Sequence, residues 1–368
     1  MNINDTILKS DEKIIFNLRE LYNKYGYSQF KMNKFEEYDT YVTNKSFLTS
    51  DRVITFTDTN GKLMALKPDV TLSIIKNTID IPGFVQKVYY NENVYRVSKR
   101  TDAFKEIMQV GLECIGDIDE YTITEVLYLA AKSLTNLSKS VVLDVSCIDI
   151  VIAILDRINN QSIRQDLIRC ISEKNTYELQ KICNENSVDK DIVDDLKLLI
   201  STYGAPSKVL PLIKQSLKSE AALNSFKTFE KVLGVLSKTP IAPIIRVDFS
   251  VINALGYYNG IVFKGFIEGI PDSVLSGGQY DKLMQKINRK SKAIGFAVYL
   301  DLLERLNTSN KEYDVDVVVL YKETDDIFEV GKLVLKLADE GKIVKAEKVL
   351  TNRFTYKEVI NFGGKENA

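Results

Sequence analysis

The chain has 368 residues, of which 45% are hydrophobic, so it is long enough for about two or three domains with substantial cores. Its 49 Lys and Arg residues against 50 Asp and Glu residues leave a formal net charge of −1, which gives no general argument for nucleic-acid binding. The sequence contains no histidine, which excludes catalysis and metal ligation by imidazole. It shows neither an apolar run of transmembrane length nor a signal peptide, so we expect a cytoplasmic protein without membrane association.

The first part of the chain is predicted to form one long helix followed by short strands. Apolar residues at helical spacing predict a helix at 10–25, and Gly26 ends it. The alternation in residues 27–35 predicts a strand. Short strands with hairpin-length connections indicate a mainly antiparallel sheet and therefore an α+β fold. The further predicted elements are strands at 53–57, 63–66, 87–91, 94–97 and 107–115, and a helix at 120–137.

The middle of the chain changes character. Residues 148–238 contain four amphipathic segments separated by polar or Gly/Pro connections, which predicts an inserted helical layer. Strand signals return after this insertion, at 243–250, 261–268 and 293–298.

The last part of the chain is predicted to be a small separate domain. Residues 309–313 form a polar linker, and the segments after it predict a single β-α-β unit. The predicted domains are therefore a core at 1–308, with 148–238 inserted into it, and a short α/β domain at 309–368.

The four cysteines are scattered and form no CxxC pair. Each one lies in or beside an apolar run, which is typical of reduced thiols in a core. We therefore expect neither a metal site nor a cofactor.

Several polar side chains stand out against this framework. In the segment LKPDVT, an acid, Asp69, and a threonine, Thr71, follow a proline, a pattern that is also ordinary turn chemistry. Gln109 and Glu113 lie four residues apart on a predicted strand, so their side chains point to the same face with Gly111 between them. Because burying a glutamate is costly without a partner, this pattern favours a role in ligand binding.

Five segments of the chain resemble the histidine–tRNA ligases (histidyl-tRNA synthetases), which are class II aminoacyl-tRNA synthetases. LKPDVT is similar to the loop that binds the substrate's amino group, and residues 94–116 and 293–306 are similar to the second and third class II motifs. NALGYYNGIVF (253–263) and SGGQYDKLM (276–284) resemble the two histidine-specific signatures. The resemblance implies a histidine-binding pocket made by Asp69, Thr71, Gln109, Glu113, Tyr258 and Tyr280.

The positions that bind and activate ATP in that family are mostly replaced. Arg96 matches the arginine that contacts the α-phosphate and is retained, but Ser98 stands in place of a glutamate. Three family arginines are replaced, by Ala103 in the motif 2 loop, Asn253 in the first signature and Leu302 in motif 3. Losing several charges together removes most of the stabilisation on which phosphoryl chemistry depends. The resemblance therefore implies a vestigial nucleotide site.

A retained histidine pocket beside a lost nucleotide site is similar to the regulatory subunits of ATP phosphoribosyltransferase, which have no aminoacylation activity. The resemblance implies a class II synthetase-like core without catalytic residues, and a C-terminal domain truncated relative to an anticodon-binding domain. It also implies a role in the first step of L-histidine biosynthesis and in feedback inhibition by histidine. The implied partners are the short-form catalytic subunit, in a hetero-oligomer such as a hetero-octamer, a second copy of this chain, and L-histidine as effector.

Two alternatives remain open. An active or divergent histidine–tRNA ligase would catalyse histidine-dependent exchange between ATP and pyrophosphate. A non-catalytic, tRNA-sensing relative of the ligases would bind tRNA in a salt-dependent manner, which the balanced charge does not favour.

Overall fold

The computed structural model describes residues 9–42, 53–97, 101–252, 257–305 and 313–363. The predicted site positions Ser98 and Asn253 lie outside these residues. The chain divides into two compact units between Asn307 and Thr308, and each unit is described by itself. Within the described ranges, no helix is long and apolar enough to cross a membrane.

The larger unit contains most of the secondary structure. Its helices are α1 (Ser10–Lys24), α2 (Asp39–Val42), α3 (Thr71–Lys76), α4 (Glu120–Leu137), α5 (Ile148–Leu155), α6 (Arg164–Ser172), α7 (Thr176–Glu185), α8 (Lys190–Ser201), α9 (Pro206–Ser216), α10 (Glu220–Leu236) and α11 (Asp281–Lys286). Its strands are β1 (Ser28–Gln29), β2 (Phe35–Glu37), β3 (Thr55–Thr57), β4 (Leu63–Leu66), β5 (Val85–Val97), β6 (Phe104–Gly116), β7 (Val141–Cys147), β8 (Tyr203–Gly204), β9 (Ile245–Asp248), β10 (Asn259–Ile267), β11 (Leu275–Gln279) and β12 (Lys292–Tyr299).

Nine of the described strands form one sheet in the order β1-β5-β6-β12-β11-β10-β7-β9-β8. The pairs β1–β5 and β7–β9 are parallel, and the other neighbouring strands are antiparallel. The sheet is therefore mainly antiparallel, as the short connections predicted. A second, smaller antiparallel sheet has the order β2-β4-β3.

The two faces of the large sheet carry different cores. On β6, the alternate residues Val110, Leu112 and Cys114 join the main hydrophobic core with residues of α1, α4 and the helices of the insertion. The alternating residues Gln109, Gly111 and Glu113 point to the opposite face because side chains alternate along a strand. A second core lies on that face and contains apolar residues of α3, α11 and β5. The predicted site residues therefore belong to the side of the sheet that the small core covers.

Several predicted elements differ from the structure. The predicted strand at 27–35 is wrong over most of its length, because the chain pairs with β5 only at β1 and then crosses to the small sheet at β2. Residues 87–91 and 94–97 belong to one continuous strand, β5, because the hairpin with β6 stays paired throughout. Residues 300–305, at the end of the segment similar to motif 3, form a 3-10 helix. The insertion contains the six helices α5 to α10 and also the short strand β8, which pairs with β9.

The smaller unit is an α/β module. Its elements are β13 (Val315–Leu320), α12 (Ile327–Asp339), β14 (Val344–Glu347) and β15 (Tyr356–Asn361). The three strands are parallel in the order β14-β13-β15, so one strand is added to the predicted β-α-β unit. Val317 and Val319 of the central strand pack against Val330 and Leu337 of the helix.

Candidate functional site

An ion pair and a hydrogen bond connect the loop before α3 to strand β5. Lys67 is fully buried, and its ammonium group forms an ion pair with Glu92 at 2.9 Å. The Nε atom of Arg96 donates a hydrogen bond to the carbonyl oxygen of Pro68 at 3.0 Å. Buried, charge-assisted contacts of this kind restrict a loop strongly. They fix the backbone from which Asp69 and Thr71 project.

Asp69 and Thr71 lie at the start of α3. The Asp69 carboxylate accepts a hydrogen bond from the backbone N–H of Leu72 at 3.0 Å, which satisfies a free donor of the first helical turn. Burial raises the pKa of Asp69, although this hydrogen bond and the charge of Arg96 oppose the shift. Thr71 is the first helical residue, and its hydroxyl donates to Glu113 Oε1 at 2.9 Å. The loop and strand β6 thus meet at Glu113.

Glu113 is the centre of the hydrogen-bonding network. Its side chain is only 3% exposed, and it accepts a second hydrogen bond, from the Tyr280 hydroxyl to Oε2, at 2.6 Å. Gly295 lies directly opposite on β12, where a Cβ atom would stand 1.7 Å from Oε2. Burial raises the pKa of Glu113 to about 8, although the bonds from Tyr280 and Thr71 act against the shift. Glu113 is therefore mostly protonated at neutral pH.

Three tyrosines form an aromatic wall beside Glu113. The ring centroids of Tyr257 and Tyr258 are 4.6 Å apart, and those of Tyr257 and Tyr280 are 5.8 Å apart. A Cβ atom at Gly278 would stand 3.0 Å from Tyr258 Cδ1, so this glycine leaves room for the ring. Burial raises the pKa of Tyr258 and of Tyr280, which keeps both phenols neutral and able to donate. Such a wall suits a flat heterocycle with acceptor atoms.

Gln109 is buried two positions before Gly111 on the same face of β6. Gly111 is required there, because a Cβ atom would stand 2.5 Å from the Tyr90 hydroxyl and 2.2 Å from the Phe296 carbonyl oxygen. Sequence reasoning missed Tyr90 as part of this face. Only the pairing of Tyr90 with Gly111 in the β5–β6 hairpin brings it there. No local sequence signal reports that register.

Sequence reasoning also missed a third acid, which lies near Asp69. Glu36 on β2 accepts hydrogen bonds from the Tyr41 hydroxyl at 2.6 Å and from the Ser73 hydroxyl of α3. The charges of Glu36 and Asp69 interact, since Glu36 raises the pKa of Asp69. Asp69, with Glu36 nearby, therefore offers acidic groups to a cationic amino group. Asp69, Thr71, Gln109, Glu113, Tyr258 and Tyr280 thus all lie on the side of the sheet covered by the small core, and hydrogen bonds directly connect Thr71, Glu113 and Tyr280.

Comparison with known proteins identifies the family. The family model described as histidyl-tRNA synthetase matches residues 6–303. The chain belongs to the histidyl-tRNA synthetase family. Among its relatives, the chain is similar to the ATP phosphoribosyltransferase regulatory subunit of Oceanobacillus iheyensis, at 28% identity over 80% of this chain and 73% of the relative. The regulatory subunit of Clostridium botulinum is 27% identical over 83% of this chain and 75% of the relative. The resemblance to these regulatory subunits, which the motifs predicted, is confirmed.

Solved structures confirm the class II synthetase-like fold of this histidyl-tRNA synthetase family member. A crystal structure described as an ATP phosphoribosyltransferase regulatory subunit/histidyl-tRNA synthetase from Bacillus halodurans has a TM-score of 0.76 at 24% identity, covering 98% of this chain and 97% of that one. A chain of the ATP phosphoribosyl transferase (HisG:HisZ) complex from Thermotoga maritima has a TM-score of 0.63 at 18% identity, covering 81% of this chain and 98% of that one.

Three described positions match ATP-binding residues of the histidyl-tRNA synthetase family: Arg96, Ala103 and Leu302. Ala103 is exposed in the connection between β5 and β6, and Leu302 is half-buried against the main core. Neither side chain carries a charge that could meet a phosphate. Arg96 lies near the pocket instead, where its charge lowers the pKa of Asp69 and of Tyr258 against the effect of their burial. Within the described residues, no group of three or more Cys, Asp and Glu side chains is placed to hold a metal ion.

The raised pKa of Glu113 predicts a pH-dependent stability. The folded pKa of about 8 lies above the ordinary value of 4.5, so the protonated Glu113 carboxyl group contributes its full stabilisation below pH 4.5. This stabilisation is lost as the pH rises from 4.5 through 8. The unfolding free energy of Glu113→Gln minus that of the wild type is the quantity to compare. We expect this difference to be about 2–4 kcal/mol larger at pH 8.5 than at pH 5. Urea unfolding of both chains across this range measures the difference, and a constant difference would contradict the buried ionisation.

Proposed function

We propose that this chain is a non-catalytic regulatory subunit of ATP phosphoribosyltransferase that acts in the first step of L-histidine biosynthesis. In this role it joins a short-form catalytic subunit in a hetero-oligomer, with a hetero-octamer as the expected assembly, and pairs with a second copy through its class II core. The names of its relatives and the partnered T. maritima structure support this role.

The single observation that carries the proposal is the contrast between the two halves of the ligase-like site. The polar network of Thr71, Glu113 and Tyr280 is intact, with bonds of 2.9 and 2.6 Å. At the positions of the phosphate-binding arginines, the described residues Ala103 and Leu302 carry no charge. A site of this kind favours binding of an amino acid over its activation by ATP.

The proposed effector is free L-histidine in this pocket. Its α-ammonium group would be met by Asp69, Thr71 and Gln109, since it needs one anion and neutral acceptors. Its imidazole would pack against Tyr258 and exchange hydrogen bonds with Glu113 and Tyr280. Feedback inhibition then requires only that histidine bind the inhibited quaternary state more tightly than the active one.

Reconstitution with the catalytic subunit tests the proposal. We expect the catalytic subunit alone to be inactive, the mixture with this chain to form phosphoribosyl-ATP, and added histidine to inhibit the mixture. The matched assay for the first alternative is histidine-dependent exchange between ATP and pyrophosphate by this chain alone. A clear exchange signal would replace the proposal with an active ligase. Salt-dependent tRNA binding without any effect on the catalytic subunit would favour the tRNA-sensing relative.

A further inference from the structure

Two short helices carry the two hydroxyl groups that hold Glu113. Helix α3 begins at Thr71, and helix α11 begins directly after Tyr280, which is its N-cap residue. Thr71 donates to Oε1 at 2.9 Å and Tyr280 donates to Oε2 at 2.6 Å. The amino-terminal ends of the two helices are thus connected through one carboxyl group.

The opposite ends of the same helices are connected by Arg289. This residue follows α11, and its backbone N–H donates to the carbonyl oxygen of Met284 in that helix at 2.8 Å. Its guanidinium group donates to the carbonyl oxygen of Ile75 in α3 at 3.1 Å and to that of Thr78 at 2.8 Å. Thr78 also donates to the Ile75 carbonyl oxygen, from its backbone N–H at 3.2 Å and from its hydroxyl at 2.8 Å. Arg289 adds a charged donor just after the end of α3, where a cation is favourable.

Asp80 holds the guanidinium group in place. It accepts from Arg289 Nε at 2.6 Å, from the backbone N–H of Lys290 at 3.0 Å and from the Ser291 hydroxyl. Burial acts to raise the pKa of Asp80, but the bonds from Ser291 and Arg289 lower it to about 2. With 18% of its side chain exposed, Arg289 belongs to a fixed ion pair rather than to a mobile surface contact.

The two helices contribute side chains to the same core. Ile74 and Ile75 of α3 and Leu283 and Met284 of α11 are essentially fully buried in the small core. Each helix has six residues and is about 9 Å long, too short to bend appreciably. Closely packed groups transmit a displacement rather than absorbing it. A shift at the Arg289 end therefore moves the hydroxyl groups at the Glu113 end.

We propose that Arg289 is a positioning residue for the pocket: by joining the carboxyl-terminal ends of α3 and α11, it fixes the separation of the Thr71 and Tyr280 hydroxyl groups that hold Glu113. The expected change in histidine affinity rests on the proposed function, whereas the expected change in the titration of Glu113 does not.

The hydrogen bonds of Arg289 to Ile75, Thr78 and Asp80 are called the Arg289 clamp. Removing this clamp should change the pKa of Glu113 as well as the stability of the chain. Both hydroxyl bonds lower the pKa of Glu113, so loosening them should move its titration upward from about 8. The substitution leaves in place the groups whose charges interact with Glu113, which are Asp69, Tyr90, Cys114, Tyr257, Tyr258 and Tyr280.

Arg157 provides a matched control. It is 21% exposed and pairs with Asp191 at 2.5 Å and with Asp195, within the helical insertion. Arg157→Gln should therefore cost stability in the same way as Arg289→Gln without touching α3 or α11.

The test compares Arg289→Gln, Arg289→Lys and Arg157→Gln in the full-length chain. Calorimetry gives the Kd of L-histidine. Urea unfolding as a function of pH gives the titration of Glu113, because each chain is compared with the same chain carrying Glu113→Gln. We expect Arg289→Gln to weaken histidine binding by about tenfold and to move the titration upward, and Arg289→Lys to restore part of both. Arg157→Gln should change neither.

The outcomes distinguish the positioning role of Arg289 from the proposed function. Wild-type values for Arg289→Gln, or equal changes in Arg157→Gln, would overturn the positioning role. If wild-type protein binds no histidine, the proposed function fails, and the Glu113 titration alone decides whether Arg289 positions the pocket. If Arg289→Gln does not fold, Asp80→Asn, which weakens the same clamp while keeping its shape, replaces it in both measurements.

Discussion

Replacing Glu113 with glutamine is expected to weaken L-histidine binding by about 100-fold. The substitution keeps the size of the side chain but removes the carboxylate, which would form a hydrogen bond with the imidazole of bound histidine. A charge-assisted hydrogen bond in a buried site contributes roughly 1.5–3 kcal/mol, or more when a group is left unpaired, which gives this order of magnitude. Isothermal titration of histidine into both chains at pH 7.5 measures the change.

The wild type should also release protons when histidine binds. Glu113 is mostly protonated at neutral pH, so a ligand that favours the carboxylate must displace the proton. The heat of binding should then depend on the ionisation enthalpy of the buffer. Histidine affinity should rise as the pH increases toward 8, by at most about tenfold per pH unit.

Glu125 provides the matched control for this experiment. It is also a buried glutamate that accepts from two phenols, Tyr27 at 3.1 Å and Tyr121 at 3.0 Å, and it pairs with Lys87 at 2.7 Å. It belongs to α4, on the opposite side of the sheet from Glu113. Glu125→Gln should cost stability and leave histidine binding unchanged. Equal binding by wild type and Glu113→Gln would mean that Glu113 does not face the ligand.

Replacing Gly295 with alanine is expected to destabilise the chain by about 3 kcal/mol and to abolish measurable histidine binding. The new Cβ would stand 1.7 Å from Glu113 Oε2 and 2.5 Å from the carbonyl oxygen of Leu112. Gly295 belongs to a central strand, so the backbone has little freedom to move away. Overpacking of this kind costs about 1–3 kcal/mol, and displacing the Glu113 carboxyl group also breaks its bonds to Thr71 and Tyr280.

Gly234→Ala is the control for an added methyl group. Gly234 lies inside α10, and a Cβ there would meet nothing within 4 Å. The same substitution should therefore stabilise the chain by about 0.5–1 kcal/mol through helix propensity. Urea unfolding of both variants gives the comparison. Wild-type stability and histidine affinity in the Gly295→Ala chain would contradict the close packing at Glu113.

Local pattern was sufficient for much of the fold. Helix α4 spans residues 120–137 as predicted, because its apolar face repeats at helical spacing and Asp119 caps its first turn. The shared orientation of Gln109 and Glu113 also follows from strand periodicity alone. The six residues of the predicted pocket were identified because the chain resembles a known family, and their role in binding histidine stays a prediction.

What local pattern could not supply depends on register and on contacts distant in sequence. The bonds to Glu113 come from residues 42 and 167 positions away, so no local spacing predicts them. Tyr90 reaches the pocket face only through its pairing with Gly111, and the Arg289 clamp joins segments more than 200 residues apart. Strand β7 was not predicted, although it lies inside the sheet between β10 and β9.

Isothermal titration of L-histidine into the purified wild-type chain, alone and with the catalytic subunit, tests the central claim most directly. The account predicts saturable binding at one site per chain, and a different affinity in the presence of the catalytic subunit, because the effector must distinguish two states. Absence of binding in both titrations would contradict the claim that this ligase-like pocket is a histidine receptor.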